Sequence, residues 1–253
     1  MIELPTRLGT NETGYIINQT DVTQIQPMFR PLLDKVIQLL REEFAEALHS
    51  VYVYGSVGRG TAIVEQSDLD VTVILNRELD IDGLKSRTLL LLQEHPEAIK
   101  IDYDIGLLHT ALNPTNHFEW GFWLRHMCAC VYGTDLSHRF PHMKPDERIS
   151  RALNRDLSDQ LREAQVKLKT RRMTEKEKKS LIKRMIRGAY LTINVEDQSF
   201  VSTIADCLFV LRLYFSNSKI IGDLERGMES EEIQDDWLGK LIAQYDSLFL
   251  PRL

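Results

Sequence analysis

The chain has 253 residues, 43% hydrophobic and 27% charged, with a formal net charge of −6; this suits one large globular domain or two modest ones. The acidic balance argues against nucleic acid as the main partner, since such binding is led by lysine and arginine neutralising phosphates. No run approaches the ~20 apolar residues of a membrane span, the opening Met1-Ile2-Glu3-Leu4-Pro5 lacks the pattern of a secretory leader, and three cysteines (Cys128, Cys130, Cys207) fit reduced thiols, so a cytoplasmic protein is expected.

Residues 1–20 show no sustained period and read as an N-terminal extension. From Pro27 onward Met28, Leu32, Leu33, Val36, Leu40, Phe44 and Leu48 recur at three- and four-residue steps, which predicts an amphipathic helix opened by prolines. It leads into the apolar strand 51–54, the turn Gly55-Ser56 and a second strand over 69–75. Asp80 to Gly83 open a helix through Leu84, Thr88, Leu91 and Leu92, ending near His95-Pro96, and a third strand follows over 99–108. Asn113-Pro114 break the chain, Asn116 to Cys130 reads as a helix, and Gly133, Pro141 and Pro145 mark an irregular connection. Beyond Asp146 apolar stripes at 153–168, 181–193, 201–215 and 233–248 predict a helical bundle. The expected fold is α+β: an N-terminal extension (1–20), a mixed sheet with flanking helices (21–112) and a helical domain (113–253).

Chemistry concentrates in the first half. Asp68 and Asp70 are separated by one residue at the start of a strand, so their side chains point to one face. Like charges on a half-buried strand repel, and the pair calls for a cation. Oxygen donors without a nearby histidine or cysteine suit Mg²⁺, or Mn²⁺, better than zinc. Twelve residues before Asp68, Ser56 follows Gly55 at the end of a strand, where free backbone N–H groups and a hydroxyl suit a phosphate. A phosphate cradle and cation-seeking carboxylates on one sheet point to phosphoryl or nucleotidyl transfer. In the third strand Asp102 and Asp104 share a face, with Ile101, Tyr103, Ile105 and Leu107 on the other.

The run Tyr54-Gly55-Ser56-Val57-Gly58-Arg59-Gly60 followed by Ser67-Asp68-Leu69-Asp70-Val71 resembles the nucleotidyltransferase superfamily of DNA polymerase beta type, and most nearly its minimal nucleotidyltransferases and aminoglycoside adenylyltransferases. The resemblance implies ATP or another nucleoside triphosphate as donor and two divalent ions held by Asp68, Asp70 and a third acid on a neighbouring strand. Asp104, followed directly by the apolar part of its strand, is preferred for that third role, with Asp102 as the alternate. Gly55 and Ser56 are expected to hold the terminal phosphates. Phe118 to Arg125 also resembles the adenylyltransferases, which implies a small hydroxyl-bearing acceptor, aminoglycoside-like compounds first, with Glu119 as a candidate contact. Two other readings fit the motif: a protein nucleotidyltransferase of antitoxin type, and a nucleotide-binding module without catalysis.

Arg59 fits either a phosphate oxygen or a salt bridge to Glu65 or Asp68. Lys183 and Arg187, four residues apart on a predicted helix, are the candidate triphosphate-facing cations of the basic segment between Lys167 and Arg187. His126, Cys128 and Cys130 alternate on a predicted helix, where their side chains diverge, and no second ligand pair follows at finger spacing, so zinc is not expected.

Overall fold

The computed structural model describes residues 3–170, 173–216 and 218–252. The chain divides into two compact units, one running from Asn18 to His142 and the other joining the segment up to Ile17 with the segment from Met143 onward. Among the described residues no helix is long and apolar enough to cross a membrane.

The first of these units is built on a four-stranded mixed sheet in the order β3-β2-β1-β4. The predicted amphipathic helix forms as α1 (Arg30–Phe44), with Pro31 in its first turn, and delivers the chain to β1 (Leu48–Tyr54). A short turn of helix, α2 (Gly55–Gly58), and an irregular loop return it as β2 (Leu69–Leu75), antiparallel to β1. Helix α3 (Asp82–Glu94) then crosses over to β3 (Ile101–Leu107), which lies parallel to β2. The one-residue alternation of the strands sorts their side chains. Val51 and Val53, Leu69, Val71 and Val73, and Ile101 form the core with Leu32, Val36 and Leu40 of α1 and Leu84 of α3. The opposite face carries Tyr52 and Tyr54, Asp70, Thr72 and Ile74, and Asp102, Asp104 and Gly106.

The helix expected over 116–130 is not what forms. After α4 (Leu108–Ala111) the chain makes a 3₁₀ turn at Pro114–Asn116, a π-helical turn at His117–Gly121 and the short α5 (Phe122–His126), then extends as β4 (Ala129–Gly133) against β1. Short apolar runs do not separate strand from helix by periodicity, and here the open edge of β1 takes up the backbone hydrogen bonds of Ala129 to Gly133. The segment from 113 to 142 accordingly packs with the sheet. Phe122 and Leu124 are buried.

The second unit is helical: α6 (Glu147–Asn154), α7 (Leu157–Thr170), α8 (Glu175–Tyr190), α9 (Ile204–Tyr214), α10 (Lys219–Glu229) and α11 (Asp235–Phe249). The single stripe expected over 153–168 is broken into α6 and α7 near Arg155-Asp156, and α10 lies in a charged stretch that carries no predicted element. Helix α8 opens with a capping box, Thr174 and Glu177 satisfying each other's backbone N–H groups, and buries Leu181, Ile182, Met185, Ile186 and Ala189. The segment up to Ile17 is tied to the loop after α8: Thr6 donates to Asp197 from both its backbone N–H (2.7 Å) and its hydroxyl (2.5 Å), and Phe200 N–H donates to Leu8 O at 2.9 Å.

Candidate active site

β1 ends at Tyr54, and the chain leaves it through Gly55 in a left-handed conformation (φ +69°). Glycine is required here twice over. It adopts that backbone without strain, and a β-carbon would run into the Asp70 carboxylate, which is turned against this bend. The turn is then closed by its own backbone: Arg59 N–H donates to Gly55 O at 3.2 Å, Gly60 N–H to Val57 O at 3.1 Å and Thr61 N–H to Ser56 O at 2.9 Å. Ser56 and Arg59 are half-buried at its rim, and Asp21 N–H braces the back by donating to Gly58 O at 3.0 Å.

Asp68 stands just before β2 with Oδ1 buried and no hydrogen-bond partner among the described residues. Its flanks are fixed from the side of β3: Ile99 N–H donates to Ser67 O at 3.1 Å and Leu69 N–H to Lys100 O at 2.9 Å. In the parallel ladder Asp70 lies across from Asp102, and Thr72 across from Asp104. On the other side Asp70 is opposite Tyr54. Three carboxylates therefore share one sheet face with the Tyr54 phenol, whose pKa is driven well above its usual range, first by burial and then by Asp70, Asp104 and Asp102. Lys100, of the same parity as Asp102, forms an ion pair with it.

Asp104 sits deeper. Its carboxyl is pushed up by burial and, secondarily, by the negative charge of Glu119 on the π-helical turn. The wall beside it is aromatic. Trp123 donates its indole N–H to the buried Thr72 hydroxyl at 3.0 Å and meets Tyr54 edge-on at 4.8 Å between ring centres. Trp120 packs flush on Gly106, leaving no room there for a β-carbon.

Gly55, Ser56, Arg59, Asp68, Asp70, Asp102, Asp104 and Glu119 thus all belong to the sheet-bearing unit. Lys183 and Arg187 stand in the other unit, exposed and one turn apart on α8; Arg187 borders a cavity of about 390 Å³ with Glu163, Lys167, Glu177 and Arg184. Among the described residues no three His, Cys, Asp or Glu side chains are arranged to hold a metal ion. Cys128 is buried under Thr72, and Cys130 has its thiol pushed up to about 11 by burial, then by Asp135. Lys100 and Thr72 are the site residues that motif reading passes over. Lys100 was legible through its even-numbered step from Asp102, whereas the Thr72–Trp123 bond joins segments 51 residues apart.

Residues 33–122 match the family of the nucleotidyltransferase domain, a span that contains the Gly55-Ser56 turn and all the carboxylates above. No curated protein matches the chain. Among solved structures, spectinomycin adenyltransferase from Enterococcus faecialis, determined with ATP and spectinomycin, aligns with a TM-score of 0.57 at 14% identity, over 86% of this chain and 98% of that one. At that identity the likeness speaks for the fold, which extends through both halves of the chain. With the family match lying over the carboxylate-bearing sheet, the chain carries a nucleotidyltransferase domain and is a nucleotidyltransferase enzyme.

Proposed function

We propose that the protein transfers a nucleoside monophosphate, AMP from ATP, to a hydroxyl group of a small acceptor and releases pyrophosphate. The observation that carries this reading is the placement of Asp70, packed against the Gly55-Ser56 turn on one side and in register with Asp102 on the other. A triphosphate held by the backbone N–H groups and hydroxyl of the turn would lie beside these acids.

The donor set fits a divalent ion of the Mg²⁺ or Mn²⁺ type. Such ions are commonly held by one or two carboxylates plus substrate phosphates rather than by an all-protein cage, and the buried Oδ1 of Asp68, without a hydrogen-bond partner among the described residues, is an oxygen that such an ion would satisfy. Asp68 and Asp70 would hold the ion, which when bound supplies charge stabilisation to the phosphoryl group under attack. For the third acid the ladder favours Asp102 over Asp104. Asp102 is the direct neighbour of Asp70, whereas Asp104 lies one full pleat repeat, about 6.6 Å, further from the turn. Asp102 then orients the acceptor hydroxyl and takes its proton.

Asp104 and Glu119, against Trp123 and Tyr54, give the acceptor side negative charge and aromatic faces, a combination that favours a cationic compound. The solved neighbour was determined with spectinomycin, which supports aminoglycoside-like compounds as the acceptors to test first. Purified protein incubated with labelled ATP, Mg²⁺ and a panel of such compounds should release pyrophosphate and yield an adduct heavier by AMP for at least one of them. Absence of any adduct with ATP, GTP, CTP or UTP would reject this acceptor class.

A further inference from the structure

Lys100 is not needed by the fold in the way its backbone is. Its carbonyl accepts the Leu69 N–H and so fixes the spacing of β2 and β3 at the start of the ladder, but its side chain runs along the carboxylate face to reach Asp102 Oδ1. The ammonium group thus meets the acid that lies across from Asp70, two residues from the orphaned oxygen of Asp68. Both partners are partly exposed, at 48% and 39% of the side chain, so the pair is worth little as a structural bond. Its effect is local: one fixed positive charge on a face crowded with negative ones.

We propose that Lys100 is an internal counter-cation of this face, and that its ammonium competes with a divalent ion for the Asp102 carboxylate. The inference rests on the reading of Asp102 as the third acid and adds to it a second, weaker ion position at Asp102 beside the one that Asp68 and Asp70 would hold. In the metal-free protein Lys100 offsets the charge of Asp102 on this face. Loading an ion at Asp102 requires Lys100 to let go, so the affinity of that position is set lower than that of the Asp68–Asp70 position. The released ammonium is then a free cation at the rim of the site. Lys100 in this account is a positioning residue, acting through Asp102.

The test is direct Mn²⁺ binding, followed by electron paramagnetic resonance and calorimetry, on the full chain with a non-hydrolysable ATP analogue. Lys100→Met should tighten the weaker Mn²⁺ site by about three- to tenfold, as removal of a nearby cation and of an exposed ion pair predicts, and leave the tighter site within twofold. Lys100→Arg should stay close to the wild type, since it keeps the charge. Asp102→Asn separates the two layers of the argument. If Asp102→Asn weakens the weaker site while Lys100→Met does nothing, Asp102 is a ligand and the competition is wrong. If neither variant changes Mn²⁺ binding, Asp102 is no ligand and the inference falls with it. Weaker Mn²⁺ binding in Lys100→Met would also overturn it, by showing that the lysine assists the ion.

Discussion

Asp70 and Asp102 face each other across the parallel ladder of β2 and β3, so two acidic residues from different strands are held as direct cross-strand neighbours by the backbone register. That register is a property of the sheet and does not depend on a flexible loop. A rigid scaffold of this kind suits a reaction in which the protein chiefly positions phosphate and hydroxyl and balances charge.

Asp70→Asn should abolish transfer, lowering kcat by at least a hundredfold, while the far-ultraviolet circular dichroism spectrum stays that of the wild type. The substitution removes one of several like charges from a single face and keeps the size and shape of the side chain, so the fold is expected to survive it. The same variant should lose the rise in melting temperature that Mg²⁺ with an ATP analogue gives the wild type, because stabilisation by a ligand scales with its affinity for the folded state.

Asp102→Asn and Asp104→Asn should rank unequally. The register places Asp102 beside Asp70, so its loss should lower kcat strongly with little change in the nucleotide KM. Loss of Asp104 should act mainly on the acceptor KM. Steady-state kinetics with both substrates varied distinguishes the two, and the opposite ranking returns the third role to Asp104.

The pH dependence of stability gives an independent handle on Asp104. Its folded pKa is raised above the ordinary carboxylate value by burial and by Glu119. A raised carboxyl pKa means that the folded state binds the proton more tightly than the unfolded chain, so stability is lost as pH rises from the unfolded pKa, near 3.8, through the folded one. Asp104→Asn should therefore melt higher than the wild type at pH 7, with the gain shrinking on acidification across that window. A variant that gains nothing at neutral pH would show that the site accommodates the ionised carboxylate without cost.

In the helical unit Lys178 is 1% exposed, with its ammonium at 2.9 Å from Glu175, 2.6 Å from Asp235 and 2.5 Å from the Ile233 carbonyl oxygen. Lys178→Met leaves these acceptors without their donor and should cost about 2–3 kcal/mol in urea denaturation. A loss below about 0.5 kcal/mol would mean that water replaces the lysine.

The sequence spells out what is contiguous. The strand–turn–strand unit around Gly55-Ser56 and Asp68-Asp70 is legible because its apolar runs, its glycine and its alternation lie within about 25 residues. β4 is not, since Ala129 to Gly133 is a strand only because the edge of β1 is open to it. Helix α10 hides in a charged stretch whose apolar residues, Ile220, Ile221 and Leu224, are buried by neighbouring helices. The choice between Asp102 and Asp104 turns on ladder register, a relation between two strands that neither strand's own residues state. Lys100 was readable by parity, but only its contact with Asp102 gives it a place in the site.

The most direct test of nucleotidyl transfer by this carboxylate face is the mass of a small acceptor after incubation with purified protein, ATP and Mg²⁺. Wild-type protein should add one AMP to an aminoglycoside-like compound and release one pyrophosphate, and Asp70→Asn should give neither. An adduct formed equally well by Asp70→Asn would contradict the account.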